Sequence, residues 1–182
     1  TAFLRSIDGE FLLVHLDKRN ERLHVYNDRY TSIPLYYFAD SGRFVASVFY
    51  KDLWHLLKAE NRLKLDQMAI FEFLWLQRLL GTKTYDTTST FLSAASRLTY
   101  DGSRVVCDQY WGPSFSKTSL PLNECAIQLR ELLRRSLARK TSDGVDKVGL
   151  FLSGGIDSRT LLASFEEPPV CFTVAVSENN EF

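Results

Sequence analysis

The stretch Val148-Gly149-Leu150-Phe151-Leu152-Ser153-Gly154-Gly155-Ile156-Asp157-Ser158-Arg159-Thr160-Leu161-Leu162 decides how the later part of this chain folds. Its apolar opening, Val148 to Leu152, predicts a buried strand. The Ser-Gly-Gly that follows predicts a turn, and Ile156 onward a helix. Glycines at 154 and 155 let backbone N–H groups approach an anion with no Cβ in the way, and the helix points its positive end at the same spot. Asp157 supplies a carboxylate suited to Mg²⁺, and the Ser153 and Ser158 hydroxyls are short donors for phosphate oxygens. Neither Gly-x-x-x-x-Gly-Lys-Ser/Thr nor Gly-x-Gly-x-x-Gly occurs, so those two phosphate-binding loops are excluded. A strand-to-helix turn needs no ligand, but these fixed positions in this setting point to a nucleotide.

Beyond the helix, Pro168-Pro169 breaks the chain before a second apolar run, Val170 to Val176. Strand, helix and strand in this order predict the opening βαβ unit of a parallel sheet. Upstream, a helix is predicted to open at Asn123, with Ala126, Ile127, Leu129, Leu132, Leu133 and Leu137 at helical spacing. Arg130, Arg134, Arg135, Arg139 and Lys140 crowd its other positions and read as a solvated face rather than an RNA surface. Residues 112–121 hold Gly112, two prolines and four Ser or Thr, and read as a linker.

The first hundred or so residues predict a β-rich unit. Residues 9–16 and 23–26 read as two strands about the polar turn 17–22, and 35–38 and 44–48 as a second hairpin about 39–43. A third turns at Asp101-Gly102 between 97–100 and 103–106. A short helix is predicted over Asp52 to Leu57. A longer one is predicted after the N-cap Asp66, stopped by Gly81, with Met68, Ile70, Phe71, Leu74, Trp75 and Leu79 packed in the core.

Among the 182 residues, 45% are hydrophobic and 24% charged, the balance of a soluble globular protein. Lys+Arg and Asp+Glu are 22 each, which leaves no electrostatic footprint for nucleic acid or an anionic membrane. No apolar run reaches the length of a membrane span, and the start lacks the layout of a signal peptide. Cys107, Cys125 and Cys171 are odd in number and far apart, so the expectation is buried or half-buried free thiols and a reducing cytoplasm. His15, His24 and His55 have no partners at metal-ligand spacing, which argues against zinc.

The loop at 153–158 is similar to the pyrophosphate-binding loop of enzymes that split ATP between its α and β phosphates. The whole chain resembles the asparagine synthetase family, which joins a glutamine amidotransferase domain to a synthetase domain carrying Ser-Gly-Gly-x-Asp-Ser. Gly9-Glu10-Phe11 leading to Asp17 resembles a late amidotransferase strand. Asp28-Arg29-Tyr30 with Pro34-Leu35-Tyr36-Tyr37 resembles the family's Arg-Asp-Arg-Phe-Gly-x-x-Pro-Leu-Tyr-Tyr segment. Phe44-Val45-Ala46-Ser47 resembles its Phe-Ala-Ser strand, and Tyr110-Trp111-x-Pro113 its domain junction. Asn27 and Thr31 depart from it, standing where the family usually has Arg and Gly.

The resemblance implies an α+β part followed by an α/β part. Residues 1–111 would be the late portion of an antiparallel N-terminal-nucleophile (Ntn) type amidotransferase sandwich, without its N-terminal half. Residues 112–121 would link it to 122–182, the parallel-sheet start of an adenine nucleotide alpha hydrolase-like domain. Family members hydrolyse glutamine with an N-terminal Cys, and the expectation is that this chain begins beyond that residue and its glutamine-binding partners. Thr1 as a nucleophile using its own amine is the alternative at that end. The resemblance implies a cytoplasmic ligase taking ATP, Mg²⁺, aspartate, and glutamine or ammonia, and it leaves a homodimer open; these residues alone are expected to be inactive. Ser153, Gly154, Gly155 and Ser158 would hold pyrophosphate and Asp157 the metal, while Phe151 and Val174 would flank the adenosine or be plain strand residues. Arg159 would reach a phosphate or face solvent, and Glu178 and Glu181 would assist the metal. The alternatives are a relative with the same adenylation step but another acceptor, as in β-lactam or peptide cyclisation, and a non-catalytic nucleotide-binding homologue.

Overall fold

A computed structural model describes residues 2–40, 42–117, 119–141 and 147–174. The chain divides into two units, Thr1–Phe115 and Ser116–Phe182.

Helix α1 (Ala2–Ser6) opens the first unit, and strands β1 (Leu12–Asp17), β2 (Arg22–Asn27), β3 (Tyr36–Asp40) and β4 (Arg43–Ser47) follow as two hairpins. Helices α2 (Tyr50–Ala59) and α3 (Gln67–Leu76) come next, then β5 (Thr90–Phe91), β6 (Ser96–Tyr100) and β7 (Val105–Gln109). The strands form two antiparallel sheets, ordered β1-β2-β6-β7 and β4-β3-β5. Side chains alternate across a strand, so Val25 of β2 and its partner Leu98 of β6 face inward together. There they meet Leu35 and Leu92, with Tyr37 and Phe44 of the other sheet packed against the cluster. One apolar core thus serves both sheets. On the other face of the larger sheet His15 lies opposite His24, the rings stacked at 5.8 Å, and the His24 Nδ1 sits 3.0 Å from the Thr99 hydroxyl.

Local chemistry sets the predicted turns and caps. Gly102 turns the third hairpin with φ 89°. The Asp101 carboxylate accepts from the Arg104 and Ser103 N–H groups, which hold its pKa well below the usual value. The Asp66 side chain caps α3 by accepting from the Ala69 N–H at 3.0 Å. Helix α3 stops at Gln77, in a left-handed conformation of φ 56°, four residues before the predicted stop at Gly81.

Three expectations about burial fail. Met68, Phe71, Leu74 and Trp75 are not core residues: they are 72%, 57%, 61% and 85% exposed, and Ala69 is the buried residue of α3. A helix apolar nearly all round carries no periodic instruction about which face docks. Cys107 and Cys171 are exposed, and only Cys125 is half-buried; all three are free. Cys107 belongs to β7, an edge strand. The third failure lies in the second unit.

That unit consists of α4 (Leu122–Thr141), β8 (Gly149–Phe151), α5 (Ile156–Leu162) and β9 (Val170–Phe172). Strands β8 and β9 pair in parallel, Gly149 with Val170 through Phe151 with Phe172. A Cβ at position 149 would lie 2.9 Å from the Phe172 ring, so glycine there admits the aromatic side chain of the neighbouring strand. Strand β8 is not buried as its composition predicts: Gly149 and Phe151 are exposed and Leu150 is half-buried. Neither is any residue of α4 buried. Parallel sheets need cover on both faces, and one strand neighbour with one crossover helix cannot supply it. Residues 175–176 of the second predicted strand lie outside the described residues. Among the described residues no helix is long and apolar enough to cross a membrane.

The segment at 27–32 ties the first unit together. Asn27 is fully buried; its amide donates to the Ser93 carbonyl at 2.8 Å and accepts from the Ser96 N–H at 2.7 Å. Burial pushes the Asp28 carboxyl up, but hydrogen bonds from the Tyr30 and Ser32 N–H groups and the Ser32 hydroxyl outweigh it and hold its pKa below the ordinary value. Thr31 takes φ 56°, the left-handed conformation that glycine adopts without strain. The Tyr110 hydroxyl donates to the Asn27 carbonyl at 2.7 Å, while Arg29 and Tyr30 both lie against the Trp111 ring.

Thr31→Gly should therefore stabilise the unit by about 0.5–1 kcal/mol in urea unfolding, relieved strain exceeding one weak hydrogen bond from Asn27. The Asp28 contribution is complete above the ordinary aspartate value of 3.8 and is lost as pH falls through the lower folded-state value. Asp28→Asn should flatten that acid limb of a stability–pH profile and cost about 1–3 kcal/mol at neutral pH.

Candidate functional site

The predicted loop stands at the carboxyl end of β8, between that strand and α5. Gly154 makes the turn with φ 73°, and Gly155 caps α5 with an extended backbone and no side-chain hydrogen bond. The first-turn N–H groups at Ile156, Asp157 and Ser158 therefore have no intrahelical or capping acceptor. The Ser153 and Ser158 hydroxyls approach to 3.4 Å across the turn. Ser153 Oγ accepts from the Gly155 N–H at 3.4 Å, and the Ser158 hydroxyl donates to the Gly155 carbonyl at 3.1 Å. A Cβ on Gly155 would stand 3.4 Å from Ser153 Oγ, inside this pocket of donors.

Asp157 projects from the first turn of α5, exposed and, among the described residues, without an ion pair. No group of three or more His, Cys, Asp or Glu gathers there among the described residues. One carboxylate nonetheless fits Mg²⁺, which is commonly held by one or two carboxylates with phosphates and water completing its shell. Glu178 and Glu181 lie outside the described residues, as does Thr1. The Arg159 Nε donates back to the Gly155 carbonyl at 3.4 Å, which ties this side chain to the loop.

Phe151 and Val174 are 76% and 83% exposed. Both lie at the carboxyl ends of the parallel pair, where open parallel sheets bind ligands. A cavity of about 580 Å³ at the opposite end, lined by Leu137, Lys147, Phe165 and Pro169, is on the wrong side of the strands for the loop.

Two contributions escape sequence reasoning. The Leu152 N–H donates to the Phe172 carbonyl at 2.8 Å, and the Thr173 hydroxyl donates to the Leu152 carbonyl at 2.9 Å. Together they clamp the residue where the loop leaves β8. Only the β8–β9 register reveals Thr173, because nothing in its own neighbourhood marks it. Gly154→Ala should destabilise this unit by about 1–2 kcal/mol, checked by thermal or urea unfolding, since Ala must hold a left-handed backbone.

Two family models match the chain. Residues 1–54 match a glutamine amidotransferase domain, which includes the turn at 27–32. Residues 128–182 match asparagine synthase, which includes the whole Ser153–Ser158 loop. Among individually curated proteins, none matches. An amidotransferase segment followed on one chain by an asparagine synthase segment matches a fragment of a glutamine-hydrolysing asparagine synthetase.

Proposed function

We propose that the chain is the nucleotide-binding part of an ATP-dependent amide ligase that adenylates a carboxylate, aspartate in the first instance, and releases pyrophosphate. The observation that carries this is the left-handed turn at Gly154, which sets two serine hydroxyls 3.4 Å apart before the uncapped end of α5. In the reaction a substrate carboxylate oxygen attacks the α-phosphorus of ATP, and the bond to the β-phosphate oxygen breaks. An amine then displaces AMP to leave an amide.

The work left to the protein is positioning and charge stabilisation. Ser153 and Ser158 would donate to the departing pyrophosphate, alongside the backbone N–H groups that Gly154 and Gly155 leave unobstructed. Mg²⁺ held by Asp157 would neutralise the charge that grows on the leaving group. Phe151 and Val174 would offer apolar surface to the adenosine. Ammonia would come from glutamine or from solution. A relative with the same adenylation step but another acceptor is the alternative, toward which the departures at Asn27 and Thr31 lean.

The longest purifiable form of the enzyme should release AMP and pyrophosphate from ATP only with Mg²⁺ and aspartate; AMP without dependence on any carboxylate would oppose the reading. Asp157→Ala should lower that rate by at least about a hundredfold while leaving circular dichroism unchanged, because it removes an exposed carboxylate and no packing. Adenylation at the parent rate, or loss of the folded signal, would count against the assignment of Asp157.

A further inference from the structure

We propose that the first unit carries a separate small-molecule site, an aromatic-walled cavity between α3 and the β3–β5 edge that takes a single-ring aromatic carboxylate. The cavity measures about 250 Å³ and is lined by Tyr36, Tyr50, Phe73, Tyr85 and Phe91, with Arg78 and Lys83 on the same wall set. The five rings form a continuous arc. Phe91 to Tyr36, Tyr36 to Tyr50, Tyr50 to Tyr85 and Tyr85 to Phe73 have centroid separations of 5.4, 5.6, 5.6 and 5.5 Å. Their planes are tilted by 48° to 83°, so they present faces and edges to the cavity instead of stacking it shut.

The arc is fixed from behind. Tyr50 donates to the Asp86 carboxylate at 2.9 Å, and the Thr88 and Ser89 N–H groups each donate to it at 2.7 Å. The Thr84 hydroxyl approaches the same carboxylate at 3.3 Å. Asp86 is 3% exposed, and its lone pairs are consumed by the protein's own donors. It holds the wall in place and offers nothing to a ligand.

Charge then selects the class of ligand. Aromatic cages ordinarily attract cations through the ring faces. Here Lys83 is paired with Glu72 and the Asp86 carboxylate is occupied by Tyr50, Thr88 and Ser89, while Arg78 has no ion pair among the described residues. The unpaired guanidinium of Arg78 on the lining favours a carboxylate as its partner. Size sets the rest: a dry cavity of about 150 Å³ admits benzene, so this one admits a ring with a short carboxylate arm. Gly81, turning with φ 69°, adds no side chain to the mouth.

Titration of the ¹⁵N-labelled chain with phenylacetate should move the Gly81, Lys83 and Tyr85 amide resonances in a saturable way. Acetate, which lacks the ring, and benzyl alcohol, which lacks the charge, should bind at least about tenfold more weakly. Arg78→Gln alters an exposed side chain that has no ion pair among the described residues, so its spectrum should remain that of the folded chain while phenylacetate affinity drops by about tenfold or more. Unmoved resonances, equal binding of benzyl alcohol, or unchanged affinity in Arg78→Gln would each overturn the proposal.

Discussion

Backbone amides can gather around an anion only where no Cβ stands in the way, and the turn at Gly154-Gly155 meets that condition. Gly154 adopts φ 73°, a conformation that costs other residues about 1–2 kcal/mol, and Gly155 caps the next helix without a side chain. Everything proposed for the second unit depends on that pair of residues. The two serine hydroxyls meet across the turn because the backbone reverses there, and Asp157 stands in the free first turn of α5. Strand register supports the turn from beneath, through Thr173 on the Leu152 carbonyl and Phe172 seated over Gly149.

The first unit rests on a different kind of constraint. Its two sheets share one apolar core, but the polar residues Asn27 and Asp28 connect the distant parts of the sequence. Through them the β2 end, the approach to β6 and the Tyr110-Trp111 segment are hydrogen-bonded into one knot. The knot keeps a left-handed step at Thr31 even without glycine, which says that the hydrogen bonds around Asp28 outweigh the local backbone cost. A substitution that looks disruptive by type is thus absorbed by its surroundings.

Features written in a few neighbouring residues were legible from sequence: the Asp101-Gly102 turn, the Asp66 cap of α3, the hairpin order, and the loop at 153–158. The features it hid are those that need a partner from elsewhere. Periodicity placed Met68, Phe71 and Trp75 in the core, yet a helix as uniformly apolar as α3 cannot specify its own buried face, and they lie outside. The apolar run at 148–152 implied burial, whereas burial of a parallel strand depends on layers supplied by other segments. Thr173, the Asp86 anchor and the ring arc from Phe91 to Phe73 emerge only when strands and loops far apart in the chain are brought together. At the candidate site the donors and the carboxylate were readable, and their mutual geometry was not.

The central claim is that the Gly154 turn serves adenylation, and exchange of labelled pyrophosphate into ATP tests that step in isolation from amide formation. With Mg²⁺, ATP and aspartate, the enzyme in its longest purifiable form should incorporate label at a rate that vanishes when aspartate is withheld. Incorporation indifferent to aspartate and to every other carboxylate tried, or none at all in an enzyme that still makes an amide from ATP, would contradict the account.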